Sequence, residues 1–448
     1  MLTKMNTETR STQSISFLCG LSVQFLKNLT RGNTEAQSTQ SINFLSASVS
    51  QCSISQKVAK PLSLQNLIMK LFDVYPLFDL EPIKGEGCYV YDKEGTKYLD
   101  FYGGHAVISI GHAHPHYVKK ITEQVENLGF YSNSVQNNLQ QELAHKLGEL
   151  SCCEDYQLFL CNSGAEANEN ALKLASFHTG KTKVISFKKA FHGRTSAAVN
   201  VTDKSAIQAP INQLFDKEFH EWNNIDTVRT SLEKGDVCAV IIEGIQGIGG
   251  IHVAETTFLE SLSQLCKEHD AVLILDEIQS GYSRSGYFFS YQHAHIQPDV
   301  ISIAKGMGNG FPIGGILIHP RFKASYGLLG TTFGGNHLAC AAGIAVLDVL
   351  KEEKLRENAR DLGAYFMEQL AAIDGVKEVR GMGLMIGLDL GFPVKELRKE
   401  MLYEEKIFTG SSSDPNVLRI LPPLNITKKE VDIFLTVFEK VFSKYLVV

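Results

Sequence analysis

Two unbroken apolar runs that end on opposite charges constrain this chain more than any other feature. Residues 271–276 read AVLILD and stop at Asp276, with Glu277 next. Residues 300–304 read VISIA and stop at Lys305, with Gly306 next. A continuous apolar run of that length fits a parallel strand covered on both faces; a strand with one wet face would alternate. Further strands are expected at 87–92, 97–101, 156–161, 183–187 and 237–242, the first two joined as a hairpin by the turn-rich residues 93–96. Helices are expected at 117–128, 139–150, 165–178, 337–350 and 355–373. Thr427 and Glu430 form a capping box, and Val431, Phe434, Leu435, Phe438, Val441, Phe442 and Tyr445 then fall at helical spacing as a packing stripe. The alternation predicts an α/β protein with a mostly parallel central sheet.

In such sheets ligands lie outside the carboxyl ends of the strands, where Asp276 and Lys305 fall. A lysine there can form a Schiff base with a carbonyl cofactor, and a carboxylate can keep that cofactor's ring nitrogen protonated. Either residue alone reads as a solvated loop residue, so the surroundings decide. Residues 162–168, NSGAEAN, join a strand to a helix. Gly164 admits a ligand to the backbone, and the helix N-terminus offers free N–H groups to an anion. Ser163 with Glu166 also fits simple capping. In residues 191–195, FHGRT, Phe191 could stack on a flat cofactor and Arg194 could take a carboxylate. Arg419 sits among apolar residues in VLRILPP (417–423) and calls for a carboxylate partner. Two such arginines suit a dicarboxylic substrate, or two substrates in turn. His112, His114 and His116, and the pair His293 and His295, lack the cysteine or paired carboxylate that would complete a metal site. The glycine-rich runs at 306–310 and 330–335 lack a dinucleotide register, and no nucleophile elbow is present.

At 448 residues the chain can hold two or three domains. A net charge of −6 gives no reason to expect nucleic acid or an anionic membrane. Nine scattered cysteines without a paired spacing suit reduced thiols in a cytosol, and no stretch is apolar enough to span a bilayer. Residues 1–68 differ from the rest. They are rich in Ser, Thr, Gln and Asn, and residues 6–18 return at 33–45 with ten of thirteen positions identical. The composition argues for a disordered extension, with the folded part opening at Met69. Ser and Gln interrupt the apolar residues 15–26, so they are not read as a secretory core.

The motifs NSGAEANENALKLA, FHGRT, EGIQGIGG, LDEIQSGYSRSG, IAKGMGNGFPIGG, TTFGGN and VLRILPPL together resemble the class III aminotransferases, and within them the acetylornithine and succinylornithine type. The resemblance runs from about Met69 to the C-terminus. It implies fold type I, with an N-terminal segment (69–117) joining a smaller α+β domain (331–448) around a large cofactor domain (118–330). It also implies pyridoxal 5'-phosphate, a cytoplasmic homodimer, and active sites at the subunit interface. By position, Lys305 would be the Schiff-base lysine and Asp276 the partner of the ring nitrogen. Ser163, Gly164 and Ala165 would cradle the phosphate, Phe191 would stack, Gln279 would lie beside the ring, and Thr332 would reach the neighbouring subunit's phosphate. Arg194 would take the donor's α-carboxylate and Arg419 that of glutamate or 2-oxoglutarate, with Tyr75 and Glu243 completing the substrate set.

The implied reaction is transamination of an N2-acylornithine with 2-oxoglutarate in arginine biosynthesis. Ornithine or 4-aminobutyrate transamination, and an aminomutase on the same fold, are the alternatives. One departure bears on the donor: many relatives carry a second glutamate where this chain has Ile248. In ornithine aminotransferases that glutamate pairs with the arginine matching Arg419. Its loss is expected to leave Arg419 open and to favour a donor with an added acid group. Leu329, His337 and His105 depart from the pattern as well.

Overall fold

The computed structural model describes residue 69 and residues 71–446. The repeat and the extension expected over residues 1–68 lie outside the described residues. The described residues fall into two units, one ending at Leu77 and the other running from Phe78. In the first, the described residues have no regular secondary structure and are exposed, Tyr75 among them.

The second unit is built on a seven-stranded sheet. In spatial order its strands are Gln157–Cys161, Gly314–Ile318, Val300–Ile303, Val272–Asp276, Val237–Glu243, Lys183–Phe187 and Lys217–His220. Gly314–Ile318 runs antiparallel to both neighbours, and the other pairings are parallel. The apolar runs are unbroken because alternate residues enter different cores. Leu273 and Leu275 pack with Val240, Ile242, Ile301 and Ile303, whereas Val272 and Ile274 pack with Ala239, Ile241 and Val300. Side chains alternate between the faces of a strand, so a sheet covered on both needs apolar residues at every position. The helix Gly164–Thr179 covers the second face through Ala167, Ala171, Leu172 and Ala175. Thr256–Glu268 and His337–Glu352 supply Leu259, Leu262, Cys340 and Leu347 to the first.

Smaller sheets join the two ends of this unit. Pro82–Glu86, Tyr89–Asp92 and Lys97–Asp100 form an antiparallel meander, to which Ile407–Phe408 adds in parallel. Glu378–Met382, Met385–Asp389, Val417–Ile420 and Gly410–Ser411 form another. The apolar residues 381–388 therefore fold as a hairpin, turning at Gly383 with φ 58°. The helix Lys428–Phe442 starts at the expected capping box, and Val431, Phe434, Phe438, Val441 and Phe442 are buried. The rings of Phe434, Phe438 and Phe442 stack at centroid spacings of 5.8 and 5.2 Å. His112, His114 and His116 go to three separate carboxylates, Asp100, Glu353 and Asp348. Among the described residues no helix is long and apolar enough to cross a membrane.

Candidate active site

The strand register brings the functional side chains together. Asp276 lies opposite Glu243 on one neighbouring strand and opposite Ser302 on the other, which ends at Ile303, with Ala304 and Lys305 next. Cys161, which leads into 162–168, pairs with Gly314 at the same edge. The converging ends enclose a cavity of about 430 Å³. Its walls include Ser163, Gly164, Ala165, Phe191, Arg194, Glu243, Ile248, Asp276, Gln279 and Lys305. Ten positions scattered through the sequence thus meet because a parallel sheet puts all its carboxyl ends on one side.

Asp276 is fixed by three donors. Asn168 Nδ2 donates to its Oδ2 at 2.8 Å, His192 Nδ1 lies 2.7 Å from the same oxygen, and the Ile278 N–H donates to Oδ1 at 3.1 Å. Asn168 also donates to the carbonyl of His192 at 2.7 Å, which locks the two partners to each other. Both residues lie inside the motifs 162–168 and 191–195, whose sequence alone assigns neither of them a partner. The signal was the spacing: Asn168 lies on the helix that starts at Gly164, on its buried side, and His192 is buried beside half-buried Phe191.

Lys305 takes a left-handed backbone, φ 47°, a strain kept at sites that demand a set direction. It forms no ion pair among the described residues. Burial brings its ammonium down from the usual 10.5 to about 8, with Asp276 and Glu243 opposing the shift and Arg419 assisting it. Glu243 is buried, and both its oxygens are committed: Phe191 N–H donates to one at 3.0 Å and Gly247 N–H to the other at 2.9 Å. It lines the cavity but acts first as a tie between two loops.

The helix at Gly164 begins as a cap with one variation. Ser163 Oγ accepts from Glu166 N–H at 3.2 Å, but the Glu166 carboxylate returns to Asn162 N–H at 2.7 Å, one residue earlier than a capping box requires. Ser163 O serves Ala167 N–H. The N–H groups of Gly164 and Ala165 have no hydrogen-bond acceptor among the described residues and stay open to an anion. An aldehyde-bearing pyridine phosphate fits these residues: open N–H groups for the phosphate, an unpaired lysine for the aldehyde, and a fixed carboxylate for the ring nitrogen.

Arg419 is buried, donating through Nε to Ser411 O at 2.5 Å and through Nη1 to Gln279 Oε1 at 3.3 Å. Gln279 Nε2 donates in turn to His105 O at 3.0 Å. That carbonyl is presented by four successive left-handed residues, Gly103, Gly104, His105 and Ala106, with φ from 54° to 69°. Two of them are not glycine, and each costs on the order of 1–3 kcal/mol. Gly247 lets its loop run close to Gln279: a Cβ there would lie 2.0 Å from Gln279 Oε1, so the amide would have to move. Arg194 is exposed and reaches the cavity. Thr332 is exposed and lies outside the cavity's walls, while the adjacent Thr331 Oγ1 accepts from Asn162 Nδ2 at 3.2 Å. Tyr75 falls in the other unit.

Residues 75–442 match the family described as Aminotransferase class-III. The acetylornithine aminotransferase of Bacillus subtilis is 40% identical over 368 residues, covering 81% of this chain and 94% of that protein. The one from Methanosarcina acetivorans is 40% identical over 361 residues, covering 80% and 90%. Among solved structures, the ornithine aminotransferase of Toxoplasma gondii superposes with a TM-score of 0.77 at 28% identity, over 85% of this chain and 94% of that one. An S-selective transaminase from Arthrobacter sp. has a TM-score of 0.78 at 22% identity, over 85% and 96%. The architecture is fold type I.

Proposed function

This chain belongs to the class III aminotransferases and works with pyridoxal phosphate, and we propose that it moves the δ-amino group of an N2-acylornithine to 2-oxoglutarate. The products are the acylated glutamate semialdehyde and glutamate, and the step belongs to arginine biosynthesis. The observation that carries this reading is the extent of the match to acetylornithine aminotransferases, 94% of the Bacillus subtilis protein. A cytoplasmic homodimer with Thr332 serving the neighbouring site is part of the same proposal.

When bound, the cofactor supplies an electron sink for the substrate carbon that gives up a proton. The residues do the rest. Lys305 would hold the cofactor's aldehyde carbon and, once displaced by the donor's amine, would take the proton from the donor carbon that carries that amine. Its depressed basicity suits this, because a proton acceptor works best with a value near the working pH. Asp276, oriented by His192 and Asn168, would face the ring nitrogen. Gly164 and Ala165 would give their N–H groups to the phosphate, with Ser163 beside them, while Phe191 would cover one ring face. Arg194 and Arg419 would take substrate carboxylates, Arg419 with Gln279 as its neutral tether.

The test is glutamate formation by the purified protein from 2-oxoglutarate with N-acetylornithine, N-succinylornithine, ornithine or 4-aminobutyrate. The reading requires kcat/KM for an acylated ornithine to exceed that for either free amine. Ornithine ranking first would move the protein to the activity named for its Toxoplasma gondii neighbour.

A further inference from the structure

Lys305 opens a tight turn, Lys305–Met307, and Asn309 just beyond it shares the same left-handed backbone, φ 47°. Such a conformation at a lysine lasts only where its surroundings over-determine it. Within the turn, Met307 N–H donates to Ala304 O at 3.1 Å and Gly308 N–H to Lys305 O at 3.0 Å. These local bonds give the turn its shape. They do not tie it to the rest of the cavity.

That tie comes from residues 109–111, far away in sequence. Ser109 Oγ donates to Gly306 O, the carbonyl next after Lys305, at 2.7 Å. Asn309 answers from the other side of the turn. Its Oδ1 accepts from the N–H groups of Ser109 and Ile110 at 2.8 and 3.1 Å, and its Nδ2 donates to Gly111 O at 2.9 Å. Ser109 is 2% exposed and Asn309 6%, so water does not stand in for a bond that is cut. Both segments line the cavity, one through Val107 and the other through Lys305, Gly310 and Phe311.

The same run of chain reaches the substrate side. Ser109 O accepts from Leu424 N–H at 2.7 Å, which commits all three polar groups of Ser109. Just before it, the left-handed residues 103–106 present His105 O to Gln279, the tether of Arg419. Lys305 has to reach two carbons in turn, and a misplacement of about 1 Å can cost on the order of 10²-fold in rate.

We propose that Ser109 and Asn309 are positioning residues for Lys305. They brace its left-handed turn against residues 109–111, and so set the reach of its amine to the cofactor's aldehyde carbon and to the donor carbon that gives up the proton. The inference rests on the reading of Lys305 as the lysine that holds the cofactor.

Borohydride reduction of the unmodified holoenzyme, followed by peptide mapping, checks that reading by itself; cofactor attached to another lysine overturns it and the brace together. The brace is tested with full-length Ser109→Ala by two absorbance measurements, reconstitution of the apoprotein with pyridoxal phosphate and the half-reaction with the donor that supports the fastest glutamate formation. Both rate constants are expected to fall at least tenfold while both amplitudes stay within about twofold. A defect of folding alone does the opposite, lowering the amplitudes and sparing the rate constants. Ser109→Thr, which returns the hydroxyl, should recover most of both rates, and Asn309→Ala, scored the same way, decides should the threonine variant not fold. Rate constants in Ser109→Ala within twofold of the unmodified protein overturn the proposal, and so does a loss confined to the amplitudes.

Discussion

Asp276 and Glu277 are adjacent carboxylates with opposite surroundings, because successive side chains at a strand's end face opposite ways. Asp276 turns to the cavity. Glu277 turns inward, where Ser280 Oγ, Ser290 Oγ and the N–H groups of Ser290 and Tyr291 donate to it at 2.7 to 3.0 Å. Asp276→Asn is therefore expected to lower kcat by about 10²–10³-fold, the scale of losing one preorganised electrostatic partner. Glu277→Gln should instead cost about 1–3 kcal/mol of stability in denaturant unfolding, since it leaves buried donors poorly matched, and keep most of kcat. The reverse pattern would contradict these assignments. Lys305 carries a pH prediction. Its folded value, about 8, lies below the usual 10.5, so the fold favours the neutral amine, which is the form that attacks an aldehyde. Reconstitution of the apoprotein, followed by visible absorbance, should quicken as pH rises through about 8 and level off above it. A rate still climbing steeply at pH 10 would mean an ordinary, solvated lysine.

At the scale of elements, the loops after the strands do the positioning. Gly247 lets the 244–250 loop approach Gln279, and Gln279 links Arg419 to His105. Gly247→Ala must push Gln279 aside, so the KM for 2-oxoglutarate should rise by about tenfold, while bound cofactor absorbs as before. An unchanged KM would remove Gln279 from the account of Arg419.

These elements were unequally legible. The strands at 183–187 and 237–243 could be read because both faces demand apolar residues. Gly314–Ile318 escaped because its sequence, GGILI, opens on two glycines, and its antiparallel course breaks the alternation that predicted its neighbours. The residues lining the cavity were readable where a motif grouped them. His192 and Asn168 escaped as partners of Asp276, since 84 and 108 positions separate them from it and only the register brings them together.

At the scale of the whole molecule, two distant runs of chain make one enzyme. The meander at 82–100 takes its last strand from 407–408, and Tyr102, just beyond it, packs against Gly410 beside Arg419. The start of the folded unit and its C-terminal part thus frame Arg419, while the central sheet carries Asp276 and Lys305. Composition could not have shown this, because neither run has a core of its own to announce. The central claim is that this cavity strips the δ-amine from an acylated ornithine and holds it until a second substrate arrives. The most direct measurement is a single half-reaction, with holoenzyme, one acylated ornithine and no 2-oxoglutarate, followed by the visible absorbance of the bound cofactor. The account predicts rapid loss of that absorbance, little change with 4-aminobutyrate, and its return when 2-oxoglutarate is added. Absorbance that persists with both N-acetylornithine and N-succinylornithine, yet falls with ornithine or 4-aminobutyrate, would contradict it.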